Sequence, residues 1–150
     1  MNFYSKPNPI LPVSLHDARV EEISLRRGEK TLSGELTLYF PEGIRAEVEG
    51  EWVITGPGEV RFGGIDWDFS GIRCYEGDSV TERSFEEFSA DLKESSWEIV
   101  EESYGYNRSV FAGYRYRDGF FRVEMEIYHF KETVYFYEDA PEEDMEDFSE

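Results

Sequence analysis

The 150-residue chain has one cysteine, Cys74, so no intrachain disulfide can form and no CxxC metal pair exists. Basic residues are scarce: 15 Lys and Arg stand against 34 Asp and Glu, a formal charge of −19 at pH 7. That deficit excludes the basic stripe by which proteins neutralise nucleic-acid phosphates, and it disfavours docking on an anionic membrane. Long apolar runs are missing too. The longest stretch free of Asp, Glu, Lys and Arg is Pro7–His16, ten residues broken by two further prolines, too short to cross a bilayer. Met1–Leu15 lacks the basic start and continuous apolar run of a signal peptide, so a cytoplasmic protein is expected. No GxGxxG, Walker A, GxSxG or HExxH sequence occurs, and nothing calls for a cofactor.

Charge is unevenly spread. Residues 138–150 hold eight acidic residues and no basic one, leaving 26 acidic against 15 basic in residues 1–137. A terminal block of like charge repels itself and has little to bury, so 138–150 reads as a disordered acidic tail. At the other end Pro7, Pro9 and Pro12 remove backbone donors, and residues 1–13 read as an extended arm rather than a strand. The interval 14–137 is then one domain.

Period two dominates that interval. Leu32, Leu36, Leu38 and Phe40 share one parity, against Thr31, Ser33, Glu35 and Thr37. After the turn signal Pro41-Glu42-Gly43, Ile44, Ala46, Val48, Trp52 and Ile54 oppose Arg45, Glu47, Glu49 and Glu51, which predicts one long strand over 44–54. Gly56-Pro57-Gly58 punctuates next. Val60–Phe62 follows, and Ile65, Trp67 and Phe69 alternate with Asp66, Asp68 and Ser70 as another strand. Residues 97–100, 110–117, 120–130 and 133–137 complete the set, with Asp118-Gly119 as a hairpin signal. Strict alternation means one packed and one wet face, the mark of antiparallel sheets. One segment differs. Ser84-Phe85-Glu86-Glu87 is a capping-box sequence, and Phe85, Phe88 and Leu92 form a helical stripe. The expected fold is therefore α+β and β-rich, an antiparallel curved or sandwich-like sheet arrangement with one central helix at about 84–94.

Candidate chemistry is sparse. His16 and Asp17 could pair only in a turn, because neighbours on a strand face opposite ways; a cap or turn role is the simpler expectation. His129 shares parity with Val123, Met125 and Ile127 and reads as a satisfied core or rim group. Cys74 lacks a paired base and reads as a small buried thiol. Asp66-x-Asp68-x-Ser70-Gly71 imitates the start of a calcium loop, but the twelfth position is Gly77 where a bidentate Glu is required. On a strand, Asp66 and Asp68 would share one face roughly 7 Å apart. Glu124 and Glu126 repeat that spacing, as do Glu47, Glu49 and Glu51, which suggests anionic faces rather than one active site. Gly105, Gly113 and Gly119 are isolated and read as bulges or turns.

The segments Leu15-His16-Asp17-Ala18-Arg19-Val20 and Leu36-Thr37-Leu38-Tyr39-Phe40-Pro41-Glu42-Gly43, and the stretch from Trp97-Glu98-Ile99-Val100 through Val110-Phe111-Ala112-Gly113-Tyr114 to Glu124-Met125-Glu126-Ile127-Tyr128, resemble a family of small, uncharacterised, acidic bacterial cytoplasmic proteins. The resemblance implies a β-rich fold with one helix and carries no established activity. In style such chains are similar to immunity proteins, by analogy of type and without a motif.

Two functions are weighed. The first is a non-catalytic domain, of immunity or inhibitor type, that offers an acidic, aromatic-rich surface to a basic partner protein. Its candidate binding residues are Asp66, Asp68, Tyr114, Tyr116, Glu124 and Glu126, with no catalytic or metal-ligating residue assigned. The alternative is a small carboxylate-based or metal-dependent hydrolase built on Asp66, Asp68, Glu124 or Glu126. A deep pocket of convergent carboxylates would favour the enzyme, and a shallow acidic face the binding domain.

Overall fold

The computed structural model describes residues 2–6, 13–116 and 120–141. Among these lie the strands β1 (Asn2–Lys6), β2 (Val13–Ser14), β3 (Arg19–Val20), β4 (Glu22–Arg26), β5 (Gly34–Phe40), β6 (Arg45–Val48), β7 (Glu51–Ile54), β8 (Gly58–Ile65), β9 (Gly71–Glu76) and β10 (Ser79–Arg83). The helix α1 (Phe85–Asp91) follows, then β11 (Trp97–Gly105), β12 (Arg108–Tyr116), β13 (Phe120–Tyr128) and β14 (Thr133–Tyr137). Three antiparallel sheets result, ordered β1-β14-β8-β5-β4, β10-β9-β13-β12-β11-β3 and β2-β6-β7. The β-rich α+β class expected from the sequence is what the structure shows, and none of the sheets closes on itself.

The apolar parities fill one core. Leu36, Leu38 and Phe40 of β5 and Val60 and Phe62 of β8 are buried with Ile72, Ile99, Phe111, Val123, Met125 and Ile127 of the six-stranded sheet. Phe62 and Phe111 meet across the two sheets with ring centroids 5.8 Å apart. Each such fully buried side chain contributes about 1.5–3 kcal/mol. Helix α1 begins where its capping box predicts. The Ser84 hydroxyl accepts from the Glu87 amide at 3.0 Å, and the Glu87 carboxylate accepts from the Ser84 amide at 2.9 Å. Phe88 packs edge-on against Trp97, and Phe85 against Trp67. Gly113 sits in mid-strand because a Cβ there would lie 1.8 Å from the Glu98 carbonyl oxygen, beside the register shift between Ile99 and Glu101.

Three local expectations are corrected. The interval 44–54 is a hairpin, not one strand: Val48 pairs with Glu51 across Glu49-Gly50, whose φ angles of 52° and 86° are those of a type I′ turn. A two-residue turn pairs even positions with odd ones. Ile44 and Ala46 therefore stay inside, while Trp52 and Ile54 turn to solvent at 46% and 58% exposure. The strand expected over 65–69 stops at Ile65. Asp66 Oδ1 accepts from the Asp68 amide at 3.1 Å, the Asp66 carbonyl accepts from the Ser70 amide at 3.1 Å, and the chain turns. The arm expected over 1–13 holds a strand instead at Asn2–Lys6, paired in register with β14. The prolines begin only at position 7, so the preceding amides remain free to join a ladder. The Asp118-Gly119 signal and residues 142–150 of the acidic tail lie outside the described residues.

Candidate functional site

Glu124 and Glu126 lie on the outer face of the six-stranded sheet, where direct cross-strand neighbours set their partners. Glu124 faces Arg73 in register, and its Oε1 is 2.7 Å from the Arg73 guanidinium. Glu126 takes Arg108 at 2.6 Å through Oε2, and Arg73 approaches its other oxygen at 3.9 Å. These hydrogen bonds push the Arg73 and Arg108 pKa values up, against the opposing effect of burial. Tyr114 stands opposite Arg122, which donates to Glu101 at 3.1 Å. The face expected to be bare acid and tyrosine is thus a lattice of alternating charge. Tyr116 closes β12 opposite Phe120, and its side chain lies outside the described residues.

Asp66 and Asp68 form no strand-borne dyad. Asp66 spends its carboxylate on the turn, whereas Asp68 lines a cleft of about 470 Å³ together with Glu126, Arg73, Arg83 and Ser70. The structure therefore brings Asp68 and Glu126 to one cleft and leaves Asp66 and Tyr114 outside it. The cleft's arginines are engaged: Arg73 as above, and Arg83 with Asp91 at 2.7 Å and Glu87 at 3.2 Å. Among the described residues no group of three or more His, Cys, Asp or Glu is placed to hold a metal ion. Among the described residues no helix is long and apolar enough to cross a membrane.

The remaining titratable groups have local roles. Asp17 adopts a φ of 64° in a turn, which brings its carboxylate within 3.6 Å of His16 Nδ1 and 2.8 Å of Arg45. The turn reading of His16-Asp17 holds. His129 is buried, shares a 2.8 Å hydrogen bond with the Ser109 hydroxyl, and packs against Phe62. Its burial pushes the imidazole pKa down, with the Lys131 backbone acting the other way. Cys74 is half-buried, and desolvation raises its pKa, the reverse of an activated thiol.

Glu102 was not legible in the sequence. The register shift between Ile99 and Glu101 turns it inward, where it accepts from the Leu15 amide at 3.0 Å, from the Ser14 hydroxyl and from the Tyr104 hydroxyl at 2.5 Å. Burial, with Tyr135 and Glu102 beside it, drives the Tyr104 pKa far up. This carboxylate latches β2 to β11. No periodic signal marks it, because the bulge itself breaks the period.

The β6–β7 hairpin is the second place that sequence reasoning missed. Val48, Trp52 and Ile54 are each about half exposed within seven residues of chain. Glu47 stands directly opposite Trp52, Glu49 lies in the turn, and Glu51 follows it. None of these three carboxylates is in an ion pair with a described residue, and the nearby Arg45 is held by Asp17. The signal was present as Glu49-Gly50, a positive-φ dipeptide hidden inside an otherwise regular alternation.

No family model, curated protein or solved structure shows detectable similarity to this chain, so the comparisons add nothing to the geometry.

Proposed function

We propose that this chain is a non-catalytic protein-binding domain that presents the β6–β7 hairpin, an acidic rim around apolar side chains, to a basic partner. The observation that carries this reading is the exposure of Trp52 and Ile54 on one face of a small hairpin and of Val48 on the other, beside three glutamates in no ion pair with a described residue. An exposed aromatic anchor beside carboxylates is the composition of an interaction site: the anchor supplies affinity, and the charge sets on-rate and choice of partner. Trp52 is the anchor, and Glu47, Glu49 and Glu51 are the rim. The tyrosine-bearing face of the six-stranded sheet takes a lesser part, because Arg73, Arg108 and Arg122 already answer its carboxylates. An immunity or inhibitor role in a bacterial cytoplasm fits this chemistry, since such a protein covers a basic toxin or nucleic-acid-binding surface with carboxylates.

The test is affinity capture from the native cytoplasm at low salt, with the full chain as bait. Recovery of a basic protein that is released by salt, and lost on Trp52→Ala and on a Glu47→Lys, Glu51→Lys double change, supports the reading. Recovery of nothing basic, or binding indifferent to these changes, overturns it.

A further inference from the structure

We infer that the open edge of β7 takes up an extended, basic segment of the partner as an added strand. This rests on the reading of the hairpin as the contact surface and adds the mode of contact. Among the described residues β7 ends the sheet order β2-β6-β7 and has a neighbour on one side alone. Its register shows which backbone groups are free. A two-residue turn makes Val48 and Glu51 the first hydrogen-bonded pair, and antiparallel alternation makes Ala46 and Val53 the next. The ladder continues at Thr55, whose amide donates to the Ile44 carbonyl at 2.8 Å. Glu51, Val53 and Thr55 therefore point their backbone groups toward β6. Trp52 and Ile54 point theirs outward, at the open edge, and theirs are also the two exposed apolar side chains of β7.

Proteins usually blunt such an edge with Lys, Pro, a bulge or an inward charge. Glu51-Trp52-Val53-Ile54 carries one carboxylate and otherwise three strand-favouring residues. The charge decides the occupant. A second copy would bring another −19 and the same Glu47, Glu49 and Glu51 against these glutamates. A segment alternating Lys or Arg with Val or Ile would instead place a cation over the Trp52 ring beside Glu47, while its main chain pairs with Trp52 and Ile54. β7 spans four residues, so the added strand needs about four to five.

The experiment uses the full chain and a synthetic peptide, acetyl-Lys-Val-Lys-Val-Lys-Val-amide, with a control N-methylated at alternate residues. The control keeps the charge and side chains but cannot complete a ladder. Strand addition predicts binding that weakens at least tenfold with N-methylation and with Ile54→Pro, which removes an outward amide that the hairpin itself does not use. It also predicts at least tenfold slower hydrogen exchange at the Trp52 and Ile54 amides. If Ile54→Pro fails to fold, the N-methylated peptide decides alone. Binding that survives N-methylation and Ile54→Pro but is lost on the Glu47→Lys, Glu51→Lys change overturns strand addition and leaves the hairpin as a contact surface. Absence of peptide binding at low salt also overturns strand addition, and the hairpin reading is then judged by the capture experiment. A concentration-dependent dimer abolished by Ile54→Pro would put a second copy on the edge and overturn the proposal.

Discussion

The outer face of the six-stranded sheet and the β6–β7 hairpin carry similar residues to opposite effect. Both hold glutamates and aromatic side chains, yet on the sheet each central glutamate has an arginine at 2.7 Å or closer, and on the hairpin no glutamate is in an ion pair with a described residue. Position within the fold makes the difference. A strand with neighbours on both sides offers cross-strand partners at every residue, so opposite charges can be set face to face. A hairpin with a free edge offers fewer, and its charge stays available. Net charge alone therefore does not locate an electrostatic surface.

The largest expected effect sharpens the contrast in packing. Gly113→Ala should destabilise the protein by about 3 kcal/mol, because its Cβ would stand 1.8 Å from the Glu98 carbonyl oxygen within a buried ladder. Gly50→Ala on the hairpin meets nothing within 4 Å and bears only the strain of its φ of 86°, about 1 kcal/mol. Urea midpoints at unchanged slope check both. Equal losses would mean that Gly113 has room to relax and that the sheet is no stiffer than the hairpin.

The next effect concerns charge. Glu124→Lys with Glu126→Lys puts like charges against Arg73 and Arg108 and should cost about 1–2 kcal/mol, while Glu47→Lys with Glu51→Lys should change stability by less than about 0.5 kcal/mol. Binding to a basic partner should show the reverse order. Loss of binding in the sheet variant with the hairpin variant unaffected would move the contact surface to the sheet.

How much of this was legible in the sequence follows from the same physics. The packed strands β5, β12, β13 and β14 could be read from alternation, since two-sided pairing fixes register and a slip would expose Leu36, Leu38 or Phe111. The helix could be read from its capping box. The hairpin could not be read from alternation, because a two-residue turn inverts parity without breaking it, and the pattern assigns Trp52 and Ile54 to the inside. β9 and β10 were silent, with Ile72 buried but Val80 exposed and no clean period. The positions of Glu124 and Glu126 on a wet face were readable. Their arginine partners, 51 and 18 residues away, were not, because pairing across strands is set by topology.

A smaller effect separates the regions by pH. His129 continues the inner face of β13, and burial holds its pKa below the usual histidine range. The unfolded chain then binds more protons between that lowered value and about pH 6.5, so stability falls as pH falls through this window, by at most about 1.4 kcal/mol per pH unit. Glu86, lowered chiefly by its hydrogen bond to Arg27, acts in the same direction but at more acid pH, near the carboxylate range. His129→Gln should flatten the slope between pH 7 and 5.5, measured by urea unfolding, and leave the acid limb in place. An unchanged slope would mean that a different group titrates in this window.

The smallest effect tests the turns that define the two regions. Glu49 at φ 52° and Asn107 at φ 58° occupy the same left-handed region in the β6–β7 and β11–β12 connections. A branched-off Cβ makes that region costly for most residues, while Asn tolerates it through local hydrogen bonding. The sheet hairpin therefore already has the favourable residue, and the exposed hairpin does not. Glu49→Asn should stabilise by about 0.5 kcal/mol and slow exchange of the Glu51 amide, which closes the turn. Asn107→Glu should destabilise by a similar amount. The first change also removes one rim carboxylate, so affinity for a basic partner should fall slightly while the edge at Trp52 and Ile54 becomes better ordered. Affinity that instead rises would show that order of the edge outweighs one unit of charge, and would place the main-chain contact ahead of the rim.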